Sequence, residues 1–544
     1  MDRRRADAIH NVCCKRNQGL AGGAAGRPTV GWAARFTGDR MSRAPTAPEL
    51  PLVSRAREHP NRAAVVDPDG VHHYGDLLGA SGAVAAALLA GRADLEEARV
   101  AFLTVPDFTY AATQWGIWRA GGIAVPLATS HPAGEWEYVL RDSAASVAIV
   151  SEDFATALGP AAQRAGIPVL PVGDVLAGPA AGPLPAPPLS RRAMMVYTSG
   201  TTGRPKGVVT THANITAQVT CLIEAWGWVP DDRIVLVLPM HHVHGIVNVL
   251  ASALWAGAIC EMLPAFDADR VWDRLASGDP TLFMAVPTIY RKLIAAWEAS
   301  PAERQRRLSD GSARLRLMVS GSAALPVQTL ERWREITGHT LLERYGMTEI
   351  GMALSNPLRG ERRPGFVGTP LPGVGVRLTD DSGQPAPPGT PGEIEVRGDN
   401  VFLEYWGRPD ATREAFRDGW FRTGDVAVVE RGAYRILGRT SVDIIKTGGY
   451  KVSALEIEEV LRGHPAIQEC AVVGVADPEW GERVSAAVEL RPGAALDLDG
   501  LKAWAKEELA PYKIPRALRI VAALPRNAMG KVTKSDVAAL FRER

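Results

Sequence analysis

The residues best equipped for chemistry lie in one stretch, Val196–Gly207, VYTSGTTGRPKG. Thr198, Ser199, Thr201 and Thr202 can donate hydrogen bonds, and Lys206 adds a positive charge. Gly200, Gly203 and Gly207 let backbone N–H groups come close to a ligand. Such a set suits the oxygens of a phosphate chain. Pro205 ahead of Lys206 separates it from the Walker loop, where Gly-Lys-Ser/Thr runs straight into a helix. A Thr/Gly-rich surface turn is the plain alternative.

An apolar run, Ala193–Val196, reads as a buried strand feeding this loop. Upstream, helical stretches (Tyr74–Ala90, Phe108–Ala120) alternate with strand-like ones (Arg99–Val105, Gly121–Pro126, Val147–Ser151). Downstream come strands Ile234–Leu238, Thr281–Pro287 and Leu315–Val319, with a helix over Thr288–Trp297. The alternation predicts an α/β fold of layered subdomains with at least partly parallel sheets. Leu315–Val319 exits into Ser320-Gly321-Ser322-Ala323, at the kind of strand end where open α/β sheets bind ligands. Thr340–Glu343 then leads into the ERYGMTE loop, and Pro364–Asp425 reads as a small β-rich subdomain. A boundary falls near Gly438-Arg439. Beyond it Ser453 and Glu456 predict a capping box opening helix Ala454–Arg462. Strands Cys470–Val475 and Val484–Leu490 and helix Leu501–Leu509 then make a separate α+β module.

Composition narrows the classes. A chain of 544 residues exceeds one core, and a net charge of +1 gives no argument for nucleic acid or an acidic membrane surface. Five scattered cysteines (Cys13, Cys14, Cys221, Cys260, Cys470) offer neither a disulfide framework nor zinc spacing, which suits a reducing compartment. The longest apolar stretch, Gly245–Cys260, falls short of the roughly 20 residues a membrane helix needs. It contains Asn248 and reads as a core element. Residues 1–43, basic and poor in acids, read as a disordered leader ahead of the fold, with Met41 as a candidate start. That reading places the protein in the cytoplasm. The alternative is a transit segment over residues 1–40 and a mitochondrial matrix location.

Five ordered motifs then fit together: TSGTTGRPKG (198–207), ERYGMTE (343–349), WFRTGD (420–425), GRTSVDIIKTGGYK (438–451) and PRNAMGK (525–531). Between Pro48 and Arg542 the chain resembles the acyl-adenylate-forming enzymes: acyl-CoA synthetases, firefly-type luciferases and peptide-synthetase adenylation domains. The resemblance implies a large AMP-binding domain (44–438), a hinge (439–443) and a mobile C-terminal lid (444–544). It implies carboxylate attack on the α-phosphorus of ATP, with Mg²⁺, and displacement of AMP by a thiol such as coenzyme A. Positioning and charge neutralisation dominate such chemistry. Thr198, Ser199, Gly200, Thr201, Thr202, Gly203 and Lys206 would hold the phosphates, Thr348 the α-phosphate and Glu349 the magnesium ion. Tyr345 would stack on adenine opposite Gly321, Ser322 and Ala323, with Arg344, Gly346 and Met347 completing the ATP site. Asp425 would accept the ribose hydroxyls and Arg439 contact the nucleotide. Lys531 would reach the α-phosphate and the substrate carboxylate when the lid closes. Lys446, Gly448 and Gly449 would serve the thioester step, glycine at 449 letting pantetheine pass. The family's usual hinge Asp or Lys is replaced here by Ser441 or Val442.

The acid is suggested by polar residues where a substrate should sit: His241, His242, His244, Arg291, Lys292 and Ser322. HVHG, VPTIYRK, VSGSAALP and ERYGMTEIGMALSNP resemble malonyl-CoA synthetases. In bacterial members an arginine at the place of Lys292 binds the second carboxylate, with the matches of Ser322 and His244. His244, Arg291, Lys292 and Ser322 are therefore the expected substrate-binding residues. A solvated helix face is the alternative for Arg291 and Lys292. The expected partners are small molecules (malonate, ATP, CoA), with no nucleic acid and no membrane span, in a monomer or homodimer. Lysine offers a point charge rather than a fork, so methylmalonate is a second expected substrate. The alternatives are a ligase for another short or medium-chain acid, a carrier-loading enzyme, and a nucleotide-binding module without catalysis.

Overall fold

The structure, a computed structural model, describes residues 49–178, 182–198, 204–526 and 532–542. The leader, Ser199–Gly203 of the phosphate loop, and Lys531 therefore lie outside the described residues.

Strands that bury both faces read as continuous apolar runs, and Ile123–Pro126 and Leu282–Ala285 are buried throughout. They belong to two sheets. A seven-stranded sheet runs 404–405, 206–211, 192–198, 123–126, 99–103, 147–150, 169–171, parallel from 192–198 outward. A nine-stranded sheet runs 369–370, 351–355, 342–347, 317–320, 282–285, 233–236, 259–262, 63–67, 70–73. Its six middle strands, from 342–347 to 63–67, are parallel. Parallel strands end on one edge, so Pro239–His244, Pro287 and Gly321–Ala323 all emerge on the same side of the sheet.

The β-rich subdomain is a five-stranded antiparallel sheet over 375–439, displaced downstream of the expected 364–425. Its strand Trp420–Glu430 pairs with Ala433–Arg439, which sets Asp425 opposite Arg439. ERYGM is strand rather than loop, within Leu342–Met347. Gly245–Cys260 splits into a π-helical segment His244–Ala251, a helix Ser252–Ala256 and the start of strand Ile259–Met262. Among the described residues no helix is long and apolar enough to cross a membrane.

Beyond residue 444 the chain forms its own five-stranded sheet with two cores of its own, one around Ile445, Ile457, Val472 and Val484, the other around Val473 and Val537. Large-domain hydrophobics reach no further than Ile436. Helix Ala454–Arg462 starts with half of the expected capping box. Ser453 accepts from Glu456 N, but the Glu456 carboxylate turns to Lys513 Nζ, 2.6 Å away.

Candidate active site

The strand pair 192–198 and 206–211 sets Thr198 opposite Lys206 at the mouth of the phosphate loop. Lys206 Nζ stands 4.8 Å from the centroid of the Tyr405 ring. The Tyr405 hydroxyl in turn donates to Glu349 Oε1 over 2.9 Å. Glu349 is buried, and burial raises its pKa, opposed by the Tyr405 hydrogen bond and by the charges of Arg439 and Lys206. Lysine, phenol and carboxylate thus form one line toward the phosphate loop, and sequence reasoning missed its middle member. No spacing signal marks Tyr405, which lies 56 residues from Glu349.

Thr348 and Glu349 sit in the turn between strands 342–347 and 351–355. A Cβ on Gly346 would overlap Gly351 O, so close packing of this turn requires glycine there. Tyr345 donates its hydroxyl to Asp425 Oδ2 over 2.6 Å, and Arg439 Nε reaches Asp425 Oδ1 over 2.9 Å. The proposed adenine, ribose and hinge residues are therefore one cluster. A carboxylate has about four acceptor positions, so Asp425 keeps capacity for hydroxyls alongside both donors.

At the sheet edge, Ser322 adopts φ +69°, a strained value for a residue with a Cβ, and its Oγ lies 3.3 Å from His244 Nδ1. His244 opens the π-helical segment, a distortion common at functional sites. His241 is held neutral: burial, with His242 and His131 beside it, pushes its pKa down to about 2.

Arg344 is the most unusual group. It is 2% exposed, and none of its three guanidinium nitrogens has a partner among the described residues. Burial pushes its pKa down to about 10, which leaves it charged at neutral pH. A Cβ on Gly321 would run into the guanidinium, so the glycine before Ser322 makes its room.

The two basic helix residues part company. Arg291 pairs with Glu469 of the C-terminal module, a tie between the two parts of the chain. Lys292 is exposed, its Nζ 5.6 Å from the Phe266 ring centroid. On the module itself, Lys446, Gly448 and Gly449 lie on the hairpin 444–447/450–453. A Cβ on Gly449 would meet nothing within 4 Å, so its glycine answers here to φ +81° and not to a close neighbour. At the hinge, Asp443, which sequence reasoning passed over, accepts from Arg439 N at 3.0 Å and faces Lys534 Nζ at 3.5 Å. Burial raises the Asp443 pKa, opposed by Lys534.

A two-domain α/β fold with a phosphate loop, an aromatic–carboxylate–arginine cluster and a docked C-terminal module defines a nucleotide-binding enzyme. The chain belongs to the AMP-binding enzyme family, whose model matches residues 52–406, and the family's C-terminal domain matches 456–531. It is 48% identical over 535 residues to the mitochondrial malonate–CoA ligase ACSF3 of Mus musculus, covering 91% of this chain and 92% of that protein. It superposes on the crystal structure of ATP-bound MatB from Rhodopseudomonas palustris with a TM-score of 0.84 at 35% identity, covering 91% of this chain and 99% of that one. Against apo MatB of the same organism, with the same identity and coverage, the TM-score is 0.76.

Proposed function

We propose that the chain is an ATP-dependent malonate–CoA ligase that acts through malonyl-adenylate and releases pyrophosphate and AMP. The observation that carries the choice of acid is Arg344. A buried cation without a counter-ion is costly. A monocarboxylate is consumed at its only carboxylate, whereas a dicarboxylate brings a second one to supply the missing charge. Ser322, next to the glycine that makes room for Arg344, meets His244 at 3.3 Å. Malonate–CoA ligase is also the activity named for the ACSF3 relative. Methylmalonate adds only a methyl group and is the expected second substrate.

The residues divide the work. Thr198, Ser199, Thr201, Thr202 and Lys206 hold the β- and γ-phosphates, and Thr348 steadies the α-phosphate. Tyr345 packs on adenine, while Asp425 and Arg439 take the ribose. The donor set fits magnesium carried in on the triphosphate. Glu349 is a lone carboxylate, since no cluster of three metal-ligating side chains occurs among the described residues. Mg²⁺ characteristically takes one or two carboxylates plus substrate phosphates. When bound, the ion supplies charge neutralisation on those phosphates. Residues 444–544 act as the lid, pivoting over 439–443. Lys531 stabilises the charge that develops during adenylation, and Lys446, Gly448 and Gly449 serve the thioester step. The better superposition on ATP-bound than on apo MatB supports a lid set for adenylation.

The test is pyrophosphate release with malonate, methylmalonate, acetate and octanoate, with and without CoA. Malonate is expected to lead, and a preference for octanoate would end the dicarboxylate reading. Lys531→Ala should lower adenylate formation roughly 10²–10³-fold while thioester formation from supplied acyl-AMP survives. Equal loss of both half-reactions contradicts its role. The mitochondrial name of the relative at 48% identity supports the matrix location over the cytoplasmic one, which fractionation of cells carrying the full chain decides.

A further inference from the structure

Next to Thr348 the fold leaves a half-open recess of about 20 Å³, room for a water. Its walls include Val247 and Asn248 from the π-helical segment that begins at His244, Gln218 from helix His212–Trp226, and Thr348 with Gly351. Polar atoms converge there without partners. Asn248 is fully buried, and neither its Oδ1 nor its Nδ2 has a hydrogen-bond partner among the described residues. Gln218 is 3% exposed, and its Nε2 is unpartnered as well.

The other end of the Gln218 amide is anchored. Its Oε1 accepts from Met352 N over 2.6 Å. That bond also fixes the residue at 351, because a Cβ on Gly351 would overlap Gln218 Oε1. The amide is therefore held with its NH₂ as the spare donor, beside an asparagine offering both a donor and an acceptor. Both side chains line the recess, so a water held there is offered these unpaired atoms. An apolar chain in the same place satisfies none of them, and unpaired buried polar atoms are what allow a site to reject an analogue strongly.

We propose that Asn248 and Gln218 are specificity-determining residues: they hold a water in the recess beside Thr348 and so bar alkyl chains from entering it. This rests on the ligase reading, in which Thr348 and His244 flank the reacting acid. Val243 and Val247, which would welcome an alkyl chain, line the same recess. Thr210, Asn214 and Asn400 line it too, but the two amides are the ones that hold buried polar atoms without partners among the described residues.

The experiment measures kcat/KM from pyrophosphate release with malonate, butyrate, hexanoate and octanoate, for wild type, Asn248→Ala, Asn248→Ser, and Asn248→Ala combined with Gln218→Met. The double variant should raise the hexanoate-to-malonate ratio by roughly 10- to 100-fold. Asn248→Ala should move it in the same direction by less. Asn248→Ser, whose hydroxyl can still bind the water, should keep the wild-type ratio. A merely structural role would lower all acids together, and a flat ratio in a folded Asn248→Ala variant overturns the proposal even if the double variant fails to fold. A wild-type preference for octanoate over malonate would sink the ligase reading instead, so the two failures are distinguishable.

Discussion

Two cations set into the fold, Arg344 of the large domain and the part-buried Lys534 of the C-terminal module, meet opposite fates. Lys534 is surrounded by acceptors: its ammonium pairs with Glu458, donates to Val472 O over 2.6 Å and lies 3.5 Å from Asp443. Arg344 is more deeply buried and has no partner among the described residues. The fold supplies anions where a charge must lock helix Ala454–Arg462 to the hinge, and leaves them out beside Ser322. A cation already satisfied belongs to the architecture, whereas an unsatisfied one is held for a ligand.

The comparison breaks most visibly through stability. Lys534→Met removes the ammonium shared by buried Glu458 and part-buried Asp443 and should cost about 3 kcal/mol in urea unfolding, as when one partner of a buried pair is removed. A loss below 1 kcal/mol would place Lys534 outside the architecture. Arg344→Met should do the reverse. Malonate-dependent pyrophosphate release should fall about 100-fold, roughly 2.7 kcal/mol of transition-state stabilisation. The unfolding midpoint should rise, because an unpaired buried charge is gone. Lower stability with intact malonate use would show that the guanidinium serves packing.

A third prediction concerns Glu343, next in sequence to Arg344. Burial, with the like charge of Glu459, pushes its pKa from the usual 4.5 up to about 8. Between these values the native state keeps a proton that the unfolded chain gives up. Stability contributed by Glu343 is thus full below pH 4.5 and lost as pH rises toward 8. Glu343→Gln should flatten that slope in unfolding midpoints measured from pH 5 to 8, and an unchanged slope would assign it to other groups. The smallest effect belongs to Arg291, whose side chain is 48% exposed in its pair with Glu469. Arg291→Ala should cost no more than about 1 kcal/mol, with malonate use little changed. A selective loss on malonate would return Arg291 to the acyl end.

Elements whose signal is local were legible. The helix predicted over Ala454–Arg462 has those bounds. It follows from short-range periodicity and from Ser453 at the N-cap. Long-range pairing was not legible. The Arg291 and Lys292 side chains look equivalent in sequence, yet one turns to Glu469, 178 residues away, and the other to the Phe266 ring. Half of the predicted capping box failed because Lys513 competes for Glu456.

By itself the sequence determined the α/β layering, the separate C-terminal module and the family. Those depend on apolar periodicity and on side chains that act next to their neighbours in the chain. Only the tertiary structure decided which charges are paired. It joined Lys206, Tyr405 and Glu349 into one line, tied Asp443 to Lys534 and left the polar atoms of the Arg344 and Asn248 side chains without hydrogen-bond partners among the described residues. The physical reason is that the cost of a buried polar group is set by what other segments bring within hydrogen-bonding distance, and residue type alone does not carry that information.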